Sequence, residues 1–452
     1  MDRDRRLAFL ILKDIEENKK WANLALSEHI AKEGAASPAF VRELVYGCIR
    51  NQKLLDYNIA RFLKKPRLSV SDRVLLRMGF YQLAFMDGVA DHAAVSETVA
   101  IAKAFMKGRE GFINAVLRSF QRDGKSLSDD GLSTRFSCAQ WIIDLWTKAY
   151  GEEKAQELLR ESVKPAPLTI RVNSARISRE ALAERLKAAG FSAAPTKLSK
   201  LCLTVSGSGL LDLQEYRSGL FSVQGEASAL AVEMLAPKPG ADVLDLCAAP
   251  GGKTCAAAEL MKGQGSITAF DIYPHRVELI RKEAGRLGFS AEMLDTEDQK
   301  EGVRAARQQS APSDGPFITL KTADSSVCMP QLAGSADFVI ADVPCSGLGT
   351  LRRDPEIKLK DQSADQAAKS LEELTKIQYN IILNSAGYLK AGGRALYSTC
   401  TVDPAENDQL VRRALAEINS RPGQRLSIEK ELQLFPSEGG PDGFYICVLQ
   451  KE

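Results

Sequence analysis

Apolar positions along the first 125 residues recur at three- and four-residue spacing, the pattern of helices that bury one face. Leu7, Leu10, Ile11 and Ile15 set that spacing at the start of the chain. Further helices are expected over Pro38 to Leu63, with the proline where a helix tolerates it, over Val70 to Phe85, from Asp91 towards Phe105, and over Phe112 to Phe120. Strand alternation is nearly absent, so this region reads as an all-helical bundle. The polar stretch 126–131, rich in glycine and aspartate, suits a linker. A helix from Ala139 to Ser162 follows, with Trp141, Leu145 and Trp146 on its apolar face, a core-packing arrangement.

The period changes at Pro165-Ala166-Pro167. Leu168 to Asn173 alternates as a strand does, Ser178 to Ala189 returns to helical spacing and stops at Gly190, and Leu201 to Val205 is again a strand. Residues 165–215 thus read as a small α+β subdomain. Phe221 to Gln224 leads into a helix ending at Leu235, ahead of Pro237 and Pro239. From Asp242 the alternation is regular. Strands are expected at Val243–Leu246, Ser266–Phe270, Phe317–Leu320, Asp337–Ile340, Arg394–Tyr397 and Phe444–Leu449. Helices are expected at Thr254–Met261, Pro274–Leu287, Leu371–Leu389 and Ala405–Ile418. Such alternation calls for a parallel α/β sheet with helices on both faces. The polar stretch Glu292 to Pro316 interrupts it and reads as a surface insertion. The expected domains are 1–125, 126–220 and 221–452.

Composition narrows the class. The chain has 452 residues, 44% hydrophobic and 26% charged, enough apolar material for a core in each of two or three domains. No apolar run approaches the roughly 20 residues of a membrane span. The first residues, Met1-Asp2-Arg3-Asp4-Arg5-Arg6, lack the apolar segment of a secretory leader, so the expected location is the cytoplasm. A net charge of +2 is too balanced to identify a nucleic-acid partner. Arg42, Arg50, Arg61, Lys64, Lys65, Arg67 and Arg73 serve equally well as solvated helix faces. The nine cysteines include no C-x-x-C pair, and the histidines are only His29, His92 and His275. Neither a metal site nor a disulfide framework is expected.

Candidate chemistry gathers at strand ends. Asp245-Leu246-Cys247-Ala248-Ala249-Pro250-Gly251-Gly252-Lys253-Thr254 runs from a strand through a turn of small residues into a helix. That order presents backbone N–H groups and a helix start at the carboxyl edge of a sheet, where cofactors bind. It lacks phosphate-loop spacing. Asp271, at the end of the next strand, suits the two hydroxyls of a ribose. Asp324, after the third, suits either an adenine amine or a plain turn, in competition with Asp295 and Asp298. Asp342-Val343-Pro344-Cys345-Ser346-Gly347 and Ser398-Thr399-Cys400-Thr401 end the fourth and fifth strands, bringing an acid and two thiols to the same edge. A thiolate is a strong nucleophile. Added at carbon 6 of a pyrimidine, it makes carbon 5 able to attack an electrophilic methyl group. An acid near N3 stabilises the charge, and loss of the carbon-5 proton lets the thiol leave.

These segments, together with Phe221-Ser222-Val223-Gln224-Gly225-Glu226-Ala227-Ser228, Arg276 and Asp442-Gly443-Phe444-Tyr445, resemble the Sun/Fmu-type RNA cytosine-5 methyltransferases. The resemblance covers about half the chain. It implies a Rossmann-like class I methyltransferase sheet and S-adenosylmethionine as methyl donor. Cys247, Ala248, Ala249, Pro250, Gly251, Gly252, Lys253, Asp271, Arg276, Asp324 and Asp342 would contact the donor. Cys400 would be the nucleophile, Cys345 would assist release of the covalent adduct, and Asp342 would support the cytosine ring. Arg42-Glu43-Leu44-Val45-Tyr46-Gly47, Leu76 to Leu83 and Phe112 to Arg118 look like a NusB-type helical RNA-binding fold, and residues 165–215 fit an RNA-binding-like subdomain. The implied substrate is 16S ribosomal RNA or a small-subunit assembly intermediate, bound by a monomer.

Overall fold

A computed structural model describes residues 1–64, 67–293, 317–423 and 425–452, with only the backbone of Phe317. Lys65, Asp295, Asp298 and nearly all of the expected insertion lie outside the described residues. The chain forms two compact units, Met1–Pro165 with Thr350–Ala364, and Ala166–Gly349 with Asp365–Glu452. Among the described residues, no helix is long and apolar enough to cross a membrane.

The first unit is helical. Helices Arg3–Asn18, Pro38–Arg50, Asp91–Phe105 and Glu110–Arg122 surround Val70–Phe85, which buries residues on all sides from Val74 to Leu83. That central helix starts with a capping box, Ser69 and Asp72 each satisfying the other's backbone N–H. Phe80 and Phe120 stack with centroids 4.0 Å apart in the core. The single helix expected over Pro38 to Leu63 is two, Pro38–Arg50 and Gln52–Ala60. At Asn51 (φ −113°, ψ 18°) the side-chain amide donates to the Gly47 carbonyl at 3.0 Å, a local bond that competes with continued helix. The helix Gln140–Ser162 is interrupted at Gly151, whose φ of 82° is left-handed. Trp146 is buried as expected, whereas Trp141 is half-buried and donates its indole N–H to the Lys360 carbonyl at 2.9 Å.

Thr350–Ala364 follows the fourth-strand loop in sequence yet packs in the first unit. Its Lys358 is fully buried, and its ammonium donates to the Phe136 carbonyl at 2.8 Å. The Ala139 N–H donates to the Lys358 carbonyl at 2.7 Å.

The second unit holds two sheets. Strands β1 (Thr169–Val172), β2 (Ser192–Pro195), β3 (Cys202–Ser206) and β4 (Phe221–Val223) form an antiparallel sheet in the order β2-β3-β1-β4. The helix Arg179–Ala188 packs on it around Ile170, Leu182, Leu186 and Leu203. Strands β5 (Asp242–Asp245), β6 (Ser266–Asp271), β7 (Ala291–Met293), β8 (Phe317–Thr322), β9 (Ala336–Asp342), β10 (Leu389–Thr399), β11 (Leu426–Leu434) and β12 (Phe444–Lys451) form the large sheet. Its order is β11-β12-β10-β9-β5-β6-β8-β7. Pairing is parallel from β10 to β7 and antiparallel at β12 and β11.

Apolar clusters lie on both faces, one around Val243, Ile267, Ile340 and Leu396, the other around Leu244, Val339, Tyr397 and Cys447. This is the α/β arrangement expected, with β2, β4, β7 and β11 added at sheet edges. The burial of β11 is irregular, so its sequence carries no clean alternation. After β5 the chain moves to β6 on one side and later to β9 on the other. The strand order therefore reverses at β5, which puts a binding crevice at its carboxyl end.

Arg171 of β1 and Glu259 of the helix Gly252–Leu260 form a fully buried ion pair, and the Arg171 Nε also donates to Gln224 at 2.6 Å. The small sheet is thereby tied to the helix that follows the glycine turn.

Candidate active site

The turn after β5 is built as its small residues suggest. The Ala248 N–H donates to the Phe270 carbonyl and the Gly251 N–H to the Ala248 carbonyl, at 2.8 and 2.7 Å. Gly251, with φ of 108°, starts the helix Gly252–Leu260, and a Cβ there would lie 3.2 Å from Ile280. Ala249 and Pro250, joined by a cis peptide bond, form the outer part of the turn, with Pro250 exposed.

Asp245 is fully buried beneath it. Its Oδ2 accepts from the Thr254 hydroxyl at 2.7 Å, and its Oδ1 has no partner. Burial pushes its pKa up to about 7. Burial likewise holds the Cys247 thiol well above its usual range. An unpartnered buried carboxylate oxygen is a poor end state for a protein. It is an acceptor ready for a ligand N–H or O–H, and the glycines beside it leave backbone open to close approach.

Asp271, at the end of β6, is buried. One oxygen accepts from the Tyr273 N–H at 3.2 Å, and the other lies 3.6 Å from Arg276, whose guanidinium also donates to the Ala249 carbonyl at 3.2 Å. Arg276 therefore bridges the glycine turn and the second acid. Asp324 lies past the end of β8, exposed, its Oδ1 taking the backbone N–H and hydroxyl of Ser326 at 2.9 and 2.7 Å. No bond links it to the other candidates. The next residue, Ser325, is buried and donates to the Leu246 carbonyl at 2.6 Å, which fixes this loop over the end of β5.

At the end of β9, Asp342 has both oxygens engaged, one by Lys253 at 2.6 Å and one by the Ser398 hydroxyl at 2.7 Å. Lys253 also donates to Ser228 at 2.8 Å and lies 5.1 Å from the centroid of the Phe444 ring. Lys253 is thus an ion-pair partner of Asp342 and ties the glycine turn to the fourth strand. The loops after β9 and β10 bring Cys345 and Cys400 together with sulfurs 3.2 Å apart, and the Cys400 N–H points at the Cys345 sulfur at 3.3 Å. The Cys345 thiol is held well above its usual pKa, first by its bond to Cys400 and then by burial. In such a pair the first proton lost leaves one thiolate accepting from the other thiol.

The structure thus gathers the turn 247–253, Asp271, Arg276, Asp342, Cys345 and Cys400 along one sheet edge, with Asp324 at its margin. Sequence reasoning missed Thr254, Ser228, Ser325 and Ser398, polar partners sitting inside or beside the motifs. It also missed Glu406, a fully buried acid bonded to Ser346 and Gln378. Helical periodicity places Glu406 in a helix starting at Ala405, but that helix starts at Asp408.

The sequence matches known families along most of its length. A family model described as 16S rRNA methyltransferase RsmB/F matches residues 232–450, a NusB family model residues 2–122, and an RsmF/B-like ferredoxin-like domain model residues 138–210. A probable ribosomal RNA small subunit methyltransferase B from Bacillus subtilis is 33% identical, with 99% of this chain and 98% of that protein covered. The chain belongs to the ribosomal RNA small subunit methyltransferase B family. Another member, from Pseudomonas putida, is 31% identical over 99% of this chain and 98% of its own. Among solved structures, PH0851 superposes with a TM-score of 0.77 at 22% identity, covering 100% of this chain and 99% of that one, a likeness of fold. The helical fold of the first unit, the small sheet and the methyltransferase sheet are those the resemblance implied. S-adenosylmethionine is the methyl donor of such a family. The orphaned Asp245 oxygen, the open turn and the Asp271 carboxylate fit an amino-bearing nucleoside of that kind.

Proposed function

We propose that this methyltransferase acts on carbon 5 of a cytosine in small-subunit ribosomal RNA, through a covalent bond between Cys400 and carbon 6. The observation that carries this reading is the 3.2 Å approach of two loop cysteines beside a lysine-held aspartate. A single nucleophilic thiol needs no second one in contact. A pair suits a reaction in which one sulfur attacks and must later leave.

The donor supplies an electrophilic methyl group when bound. Asp245, the turn 247–253, Asp271 and Arg276 are proposed to hold it, with Asp324 at the adenine end. Asp342, fixed by Lys253 and Ser398, is the acid that supports the cytosine ring. Hydrogen bonding from Cys345 stabilises the Cys400 thiolate for attack. On release, the C5–H bond gives its electron pair to the C5=C6 bond and its proton to water. The C6–S bond leaves its pair on Cys400, which takes the Cys345 proton, and solvent restores that proton.

The helical domain 1–125 and the subdomain 126–220 are proposed to bind RNA, and 221–452 to carry catalysis. The test is methyl transfer from labelled S-adenosylmethionine to a 16S transcript, followed by bisulfite sequencing. Wild type is expected to mark a cytosine. Cys400→Ala should abolish transfer, and Cys345→Ala should accumulate a denaturation-resistant protein–RNA adduct. Transfer by Cys400→Ala at the wild-type rate, or methylation of DNA in preference to RNA, would overturn the reading.

A further inference from the structure

Behind the two cysteines lies a buried carboxylate that the mechanism above does not use. Glu406 Oε2 accepts from the Ser346 N–H at 2.9 Å and from the Gln378 amide at 2.8 Å, and Oε1 accepts from the Ser346 hydroxyl. Gln378, fully buried on the helix Ala364–Tyr388, donates from the same nitrogen to the Pro344 carbonyl at 2.9 Å. The loop residues flanking Cys345 on both sides are therefore pinned. The Ser346 hydroxyl is also 2.8 Å from that of Thr401, the neighbour of Cys400. Tyr397 donates to the Glu406 carbonyl at 2.7 Å, so the backbone of this residue is held as well. Asn407 completes the second loop, accepting from the Thr399 hydroxyl at 2.6 Å and donating to the Thr401 carbonyl at 3.1 Å.

A buried carboxylate is tolerated where donors saturate it. Here two donors come from Ser346 of the Cys345 loop and one from Gln378, and the Ser346 hydroxyl reaches on to the Cys400 loop. The local chain conformation is given over to this. Ala405 to Asn407 stay out of the helix that their spacing favours, and Asn407 takes φ −109°, ψ −115°.

We propose that Glu406 is the positioning residue of the release step. Resting on the covalent reading above, the inference is that this carboxylate clamps the Cys345 loop onto the Cys400 loop. The Cys345 thiol then stays in contact with the sulfur that must depart. Attack on the base needs Cys400 and a seated cytosine. Release needs the register of the two sulfurs, which the clamp helps to fix. Loosening it slows release more than attack.

The experiment uses the full-length protein, a 16S RNA transcript and labelled S-adenosylmethionine, with Glu406→Ala, Glu406→Gln and Ser346→Ala. Single-turnover measurements follow adduct formation and adduct decay separately on denaturing gels. Glu406→Ala and Ser346→Ala are expected to form adduct within about threefold of the wild-type rate and to release it about tenfold more slowly, the scale of a small misplacement of reacting groups. Glu406→Gln, which keeps one acceptor, should recover part of the release rate, and KM for RNA should not move. If Glu406→Ala fails to fold, Ser346→Ala carries the test, because it keeps the carboxylate and the backbone N–H. Release at the wild-type rate in the folded variants, or formation and release falling together, overturns the clamp. If wild type and Cys345→Ala give no adduct even on RNA containing 5-fluorocytosine, the covalent reading falls and takes the clamp with it.

Discussion

Replacing Asp245 by asparagine tests whether the donor site is held at the expense of stability. The carboxylate is fully buried, with one oxygen bonded to Thr254 and the other without a partner. Burial is the main reason its pKa rises from 3.8 to about 7; the like charge of Asp342 adds to this, while Thr254 and Lys253 oppose it. An acid with a higher pKa folded than unfolded binds its proton more tightly when folded. Its contribution to stability is therefore fully present below about pH 4, falls as pH rises from about 4 to about 7, and is level above that. The difference of about 3 pH units, at about 1.4 kcal/mol per unit, bounds the lost stability at about 4 kcal/mol. Asparagine keeps an acceptor for Thr254 and removes the charge. Without donor, Asp245→Asn is expected to exceed wild type by about 2–4 kcal/mol at pH 8 and to show a shallower slope in that window, where Glu259 and Asp403 still titrate. It should also bind the donor more weakly, having lost the charge of the free acceptor oxygen.

The assay is urea unfolding followed by far-UV circular dichroism from pH 4 to pH 8, with titration calorimetry for the donor. The three tryptophans, Trp21, Trp141 and Trp146, all lie in the first unit, so their fluorescence reports that unit while circular dichroism reports both. Equal pH slopes for the two proteins, or unchanged donor affinity, would refute the reasoning.

Gly251→Ala is expected to destabilise the second unit by about 1–3 kcal/mol, because φ of 108° is strained for any side chain and the new methyl would press on Ile280. Circular dichroism melts and donor titration check it, and an unchanged midpoint would count against the strain. Lys358→Met addresses the first unit. Burial lowers the Lys358 pKa from 10.5 to about 7. A base with a lowered folded pKa takes stability away as pH falls from about 10.5 to about 7. Methionine should therefore raise stability at pH 7 by about 1–3 kcal/mol, after the lost bond to the Phe136 carbonyl is counted. Tryptophan fluorescence in urea reads this directly, and a lower midpoint would show that the amine's hydrogen bond outweighs its desolvation.

Much of the fold was legible because its signals are local. Helical spacing marks Val70–Phe85, whose structure has the expected limits, and short apolar runs bounded by turns mark β5, β6 and β9. The glycine turn, the acids after β5, β6 and β9 and the two cysteines were legible for the same reason. Parallel strands all end at one edge, so residues just past them must converge. What failed involved bonds to distant partners or faces without a strong pattern. Asn51 breaks a helix through its own amide, β2 and β11 lie at sheet edges, and Glu406 leaves its expected helix to meet Ser346, 60 residues away.

By itself the sequence determined the α/β alternation, the turn at 245–254 and which residue types stand at the strand ends, because these depend on spacing along one segment. Only the tertiary structure decided that Lys253 is paired with Asp342, that Asp245 keeps a bare oxygen, that Thr350–Ala364 packs in the first unit, and that two sulfurs 55 residues apart lie 3.2 Å from each other. Those outcomes depend on which buried polar groups find one another once water is excluded, and no periodicity along a chain encodes that choice.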